Sequence, residues 1–360
     1  MLNPFIHWIE AKGPYAPLLF AAVFIAASFL MIWRLEAMNR QGFEGTVLGT
    51  LVMPYCSGLG NLIFAFILGR NGGNGADVMV NSLVNNVTNM TLVLGLPAIF
   101  WGINVLPKVK AKSKAKTAAA AKTSVKLKSS VKVAAKSSRK TSAAGKAHEL
   151  NRLSLLLTLT AVLFFTGAVW ALGRKGRLDF NDGLVLVGLF LFWQCFHVFE
   201  VLKANVRDSK SLIGLRLLVD FAILGAGAYG IYVSTDWLVN WLSHIQTGFI
   251  SAKHMGWVTG WLMVLPNALL AFYYGWRGKP ETVYASQVGD AHVSIPLCIG
   301  IYCLYHTMAL PTFFQTSMFI LLGATLLHGF FVTVFGQLPK FAGWILVTAY
   351  GVFLWRGLLD

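Results

Sequence analysis

VNSLVNNVTNMTLVLG, from Val80 to Gly95, is the stretch on which the reading of this chain turns. It is apolar enough for a hydrophobic setting, yet Asn81, Asn85 and Asn89 recur every four residues. That spacing puts three carboxamides on one stripe of a helix. A polar stripe turned to lipid is costly, so it must face protein or a wet cavity. The design returns in ASQVGDAHVSIPLCIG, from Ala285 to Gly300. With Gly95 set over Gly300, Ser286, Asp290 and Ser294 fall over the three asparagines.

The helix before each stretch has a proline at mid-span. GTVLGTLVMPYCSGLGNLIFAFILG carries Pro54 followed by Tyr55, and GWLMVLPNALLAFYYGW carries Pro266 followed by Asn267. Proline removes one intrahelical hydrogen bond and frees a carbonyl, which then ligates a cation or accepts from a neighbour. Five helices separate the corresponding elements, so the second copy enters the membrane from the opposite side. That is an inverted repeat, the layout of many secondary transporters, with a site at mid-membrane between the halves.

Composition agrees with a membrane setting. Hydrophobic residues make up 56% of the 360 and charged residues 12%, about half the charged share of a soluble protein. A spanning helix needs about 20 mostly apolar residues. Such stretches occur near 15–33, 45–69, 77–103, 153–173, 182–203, 211–234, 250–274, 282–306, 312–335 and 340–358. The expected fold is an all-α polytopic membrane protein of about ten transmembrane helices, arranged as two inverted five-helix repeats. Residues 1–105 hold helices 1–3, 106–148 a loop, 149–210 helices 4–5 and 211–360 the second repeat. The lead up to Gly13 has neither a basic segment nor a small-residue cleavage site. It is read as leading into a retained helix and lying in the interface.

The net charge of +16 is local: Asn104 to Arg152 holds fourteen Lys and Arg against the single Glu149. This Lys/Ala/Ser/Thr tract lacks the large apolar residues of a core and reads as a tether lying on anionic lipid; no nucleic-acid partner is expected. Lys and Arg concentrate on the cytoplasmic side of membranes. With both termini outside, Arg34, Arg40, the loop, Lys203, Arg207, Lys210, Arg277, Lys279 and Lys340 fall inside, while the cluster Arg174, Lys175, Arg177 pulls the other way. The loop is thus expected in the cytoplasm and the protein in the cell (inner) membrane. Cys56, Cys195, Cys298 and Cys303 all lie in apolar stretches and read as small buried side chains.

These motifs resemble the cation/calcium exchanger superfamily, the sodium/calcium exchangers. Its members carry two inverted repeats, each with a G-T-S-x-P-E-like motif followed by a G-N-x-x-G-S-N-like motif. TLVMPY (Thr50 to Tyr55) and LMVLPN (Leu262 to Asn267) stand at the first, VNSLVNN (Val80 to Asn86) and ASQVGDA (Ala285 to Ala291) at the second. The resemblance implies the exchanger fold and antiport of sodium and calcium. In the family an acid follows the motif proline and ligates the ion; here Tyr55 and Asn267 stand there.

Within the four repeat helices Asp290 is the single deep acid, and Thr50, Asn81, Asn85, Asn86, Asn89, Asn267, Ser286 and Ser294 offer neutral oxygen. With Tyr55, these form the candidate cation site. One carboxylate balances a monovalent ion better than a divalent one, so the transported cation is sodium, calcium or a proton. The bland alternatives are a carboxyl capped by amides and an asparagine stripe that only bonds helices together. Arg216 and Asp220 read as a local ion pair. His197 and Glu200 are an i, i+3 pair, and His292, His306 and His328 stand alone. No nucleophile–base pair, cofactor motif or resident metal site appears, so no enzyme is expected. A secondary active cation exchanger leads; a non-transporting membrane scaffold or regulatory protein with the same fold is the alternative.

Overall fold

A computed structural model describes residues 4–39, 55–56, 58–104, 155–205, 215–278 and 280–359. The chain starts with a short helix, α1 (Pro4–Glu10), and continues into α2 (Ala16–Asn39), α3 (Leu59–Asn71) and α4 (Gly75–Trp101). The first half ends with α5 (Leu155–Lys175) and α6 (Phe180–Asn205). The second half runs through α7 (Leu215–His244), α8 (Met255–Trp276), α9, α10 (Phe314–Val334) and α11 (Lys340–Leu358). Helix α9 starts as Pro280–Val293 and continues to Ile299–Cys303 through a wider π-turn, Ser294–Cys298.

The two halves repeat each other in detail. Helix α4 has its own π-turn at Asn89–Val93, which falls on Ser294–Cys298 when Gly95 is laid over Gly300. Gly95 packs on Gly343 of α11, and Gly300 packs on Gly183 of α6. A Cβ at Gly343 would sit 2.7 Å from the Gly95 carbonyl, and one at Gly183 would sit 3.0 Å from the Gly300 carbonyl. Only glycine lets two helices approach this closely.

Two-residue strands join the halves at both ends. β1 (Ile103–Asn104) pairs with β4 (Gln337–Leu338), and β2 (Arg177–Leu178) pairs with β3 (Met308–Ala309), all antiparallel. Paired strands must lie on one side of the membrane, so an even number of crossings separates them. Among the described residues eight helices are long and apolar enough to span. Helix α9 is not one of them, because Gln287, Asp290 and His292 dilute its hydropathy. The β2–β3 pair nevertheless requires α9 to cross. With α3, whose earlier residues lie outside the described ones, ten helices order the chain.

Two helices run further than their apolar patterns. Helix α2 passes residue 33 because its charges have partners: Arg34 is ion-paired with Asp220 of α7, and Glu36 accepts from the Tyr274 hydroxyl at 2.5 Å. The sequence offered Arg216 to Asp220; the Arg216 side chain lies outside the described residues. Helix α7 continues past 234, where Ser234 returns its hydroxyl to the Gly230 carbonyl at 2.6 Å. Further on, Trp237 stacks on Phe20 at 4.2 Å and donates to Glu10 at 3.0 Å, which seats α1. Cys298 and Cys303 are buried as expected, whereas Cys195 is exposed on the outer face of α6, where an apolar side chain meets lipid.

Helix α4 runs through the centre, with nearly every side chain buried. Gly256 and Gly260 of α8 admit it closely: a Cβ on Gly260 would lie 2.7 Å from Val84 Cβ. That contact brings the asparagine stripe into the middle of the bundle.

Candidate cation site

Asn85 and Asn89 lie one turn apart on α4 and both donate to one oxygen. Their Nδ2 atoms stand 2.7 and 2.8 Å from Asp290 Oδ2 on α9. All three residues are fully buried. A carboxylate only accepts, so each carboxamide must present its NH2 to it and leave its own oxygen aimed elsewhere.

Among the described residues those oxygens have no donor. Asn85 Oδ1, Asn89 Oδ1 and Asp290 Oδ1 are buried without a hydrogen-bond partner there, and so is Asn61 Oδ1 on α3. An orphaned buried acceptor costs about 1–3 kcal/mol, and the three on Asn85, Asn89 and Asp290, which meet at one place, suit a cation. Gly58 keeps the free side of the carboxylate open, since a Cβ there would lie 3.3 Å from Asp290 Oδ1.

A second set of bonds fixes the frame. Ser294 Oγ lies 2.8 Å from Asn86 Oδ1 and 2.9 Å from the Asp290 carbonyl, while Asn86 Nδ2 donates back to the Ser82 carbonyl at 2.7 Å. Gln287 Nε2 donates to the carbonyl of Asn267 at 3.3 Å. Asn267, Pro266, Met263, Asn61, Cys56 and Ser28 line a cavity of about 20 Å³, enough for one water-sized guest.

Five of the expected site residues therefore meet: Asp290, Asn85, Asn86, Asn89 and Ser294. Asn81, on the same stripe, is turned to α8, where it donates to Thr259 Oγ1 at 3.0 Å and Met263 Sδ at 3.4 Å. It joins helices, the competing role for that stripe. Tyr55 packs edge-on against Phe190, with ring centroids 5.8 Å apart. Asn267 lies at the small cavity. Thr50, Pro54, the loop 106–148 and the side chain of Ser286 lie outside the described residues. Asn61, Gly58 and Gln287 were not singled out from the sequence. Asn61 left a signal there, a lone amide in the apolar run that follows Gly58.

His197 and His292 stack at 6.4 Å, and the His292 ring nitrogen meets the Gly289 carbonyl at 2.7 Å. The Glu200 side chain lies outside the described residues. Among the described residues no three His, Cys, Asp or Glu side chains converge.

Similarity to known proteins points one way. The family model described as sodium/calcium exchanger protein matches residues 13–199 and 219–358. Structures of the sodium-calcium exchanger NCX_Mj are similar in fold. The one soaked with 2.5 mM Na+ and 1 mM Sr2+ shares 15% identity, covers 93% of this chain and 95% of its own, and superposes with a TM-score of 0.60. The one soaked with 10 mM Na+ and zero Ca2+ shares 16% identity over the same shares of both chains, also with a TM-score of 0.60. No curated protein sequence gives a significant match.

Proposed function

This chain belongs to the sodium/calcium exchanger protein family, and from that membership we propose a secondary active cation exchanger that works by alternating access around Asp290. It is a multi-pass integral membrane protein of a transporter family and not an enzyme. The observation that carries the proposal is the meeting of Asn85, Asn89 and Asp290 across the two halves, each with a buried oxygen that has no hydrogen-bond donor among the described residues.

The charge at that place favours a monovalent cargo. Calcium takes 6–8 oxygens and usually several carboxylates, because neutral dipoles repay its dehydration poorly. Asp290 supplies one negative charge and the asparagines supply none. Sodium fits this balance best, with the proton and calcium as the other cargoes of the family chemistry. Asn85 and Asn89 orient the carboxylate, and the π-turns beside Asn89 and Ser294 shape the helices around it. Such turns cluster at functional sites.

Rocking of the inverted halves about their shared site would open it to each side in turn. The basic loop, on the cytoplasmic face, would rest on anionic lipid of the inner membrane.

A second reading is favoured by one observation. Both positions that bear acids in the family hold neutral residues, and Tyr55 packs on Phe190. A protein that keeps the fold but has lost transport would act as a scaffold. Exchange of labelled sodium and labelled calcium in proteoliposomes decides between them. Sodium movement driven by an opposed cation gradient supports the exchanger, and the absence of both fluxes supports the scaffold.

A further inference from the structure

Behind the cation site lies a second buried polar group that the transport reading does not use. Tyr284 on α9, His328 on α10 and Met90 on α4 are all fully buried. The Tyr284 hydroxyl meets His328 Nδ1, and His328 Nε2 lies 2.8 Å from the Met90 carbonyl. A carbonyl only accepts, so Nε2 carries the proton. In the neutral imidazole Nδ1 offers a lone pair, to which the Tyr284 hydroxyl donates. Both ring nitrogens are thereby satisfied.

The two ends of this bridge adjoin the site. Met90 follows Asn89 in the π-turn Asn89–Val93, so the carbonyl that His328 grips belongs to the turn that aims the Asn89 amide at Asp290. Tyr284 lies on the same helix as Asp290, less than two turns before it. His328 thus ties the two helices that carry the site, from a third helix that contributes no oxygen to it.

The fold does not require this bridge. In the registers set by Gly95 over Gly300 and Gly183 over Gly343, the counterparts in the other half are Met79 for Tyr284, Ala168 for His328 and Ile295 for Met90. Ile295 has the same backbone carbonyl as Met90, but Met79 and Ala168 carry no hydrogen-bonding hydroxyl or imidazole, so that half closes without such a bridge. Placing an imidazole and a phenol inside a membrane protein has a desolvation cost that apolar packing avoids. The asymmetric position is therefore one where polarity serves something other than closure.

We infer that His328 is a positioning residue of the cation site: through Tyr284 and the Met90 carbonyl it holds the π-turn so that Asn89 meets Asp290. The inference rests on the reading of Asp290 as the cation ligand. Groups that orient ligands from outside an ion site typically change affinity about 10–100-fold when removed, so cation affinity should fall in addition to any stability lost with the buried hydrogen bonds.

The test uses the full chain in proteoliposomes, with sodium alone as the probe, and reads half-saturating sodium, maximal flux and melting temperature. His328→Leu and Tyr284→Phe should each raise half-saturating sodium about tenfold or more while maximal flux changes much less. His328→Gln, whose amide N–H can still reach the Met90 carbonyl, should recover most of that loss. Tyr284→Phe removes a single oxygen and serves if His328→Leu fails to fold. Half-saturating sodium within twofold of the parent in folded His328→Leu or Tyr284→Phe overturns the inference, and so does a failure of His328→Gln to recover affinity. If Asp290→Asn abolishes flux while the His328 and Tyr284 variants match the parent, only the positioning role falls. If Asp290→Asn transports like the parent, or the parent moves no sodium, the site reading falls and takes this inference with it.

Discussion

Asn85 and Asp290 stand 205 positions apart in the chain and meet at 2.7 Å. They are also counterparts, since the register that lays Gly95 over Gly300 lays Asn85 over Asp290. Each is its partner's image in the other half, so the bond between them lies where the two repeats face each other. An inverted-repeat transporter has its site at that place. One half supplies amides there and the other supplies the charge.

The halves are joined by glycine contacts that leave no room for a side chain. Gly343→Ala would bring a Cβ within 2.7 Å of the Gly95 carbonyl, and backbone cannot yield as a flexible side chain can. The expected loss is about 1–3 kcal/mol, seen as a lower melting temperature in detergent. Gly323→Ala on α10 is the control, because nothing lies within 4 Å of its added Cβ. It should melt no lower than the parent. Equal melting of all three proteins would show that the close approach at Gly95 is relaxed in the membrane.

Asp220 is a buried acid outside the four repeat helices, and it has a charged partner. It is paired with Arg34 and nearly buried, with 4% of its side chain exposed. Asp220→Asn leaves the guanidinium without its counter-ion, which for a buried pair costs about 3–5 kcal/mol. The loss should appear in melting temperature and yield, with flux per folded molecule close to the parent. A fall in flux without a fall in stability would move Asp220 into the transport path.

Much of this was legible in the chain. The four-residue spacing of Asn81, Asn85 and Asn89 and its echo at Ser286, Asp290 and Ser294 gave the inverted repeat, and the π-turns fall in that same register. The Asn81 contact was not legible, because spacing along one helix does not say which neighbour each side chain meets. Asn85 and Asn89 turn to α9, while Asn81, one turn earlier, reaches Thr259 and Met263 of α8. Arg34 as the partner of Asp220 was hidden for a related reason, since the pair joins helices far apart in sequence. Asn61 was visible as an amide in an apolar run, but its orphaned oxygen is a property of the packed structure alone.

Orientation follows from the distribution of Lys and Arg. A cysteine placed by Ser124→Cys, in a parent whose four cysteines are replaced, should resist an impermeant thiol reagent added to intact cells and react once the membrane is opened. Deleting residues 110–145 should leave folding and flux near the parent, because the tract has no core-forming residues. Labelling in intact cells would invert the topology, and loss of folded protein on deletion would give the loop a structural role.

Cargo should follow charge. Tyr55→Glu with Asn267→Glu returns acids to the two positions that hold them in the family. Calcium is bound by several carboxylates, so the double variant should gain calcium flux and lose preference for sodium. An unchanged preference in a folded double variant would mean that these two side chains do not face the ion.

Asp290 is proposed to hold the transported cation between the repeats. Labelled sodium exchange into proteoliposomes, measured for the parent and for Asp290→Asn at matched amounts of folded protein, tests it most directly. The substitution removes the charge with little change of shape, so exchange should be abolished while the melting temperature stays near the parent. Exchange at the parent rate in Asp290→Asn would contradict it.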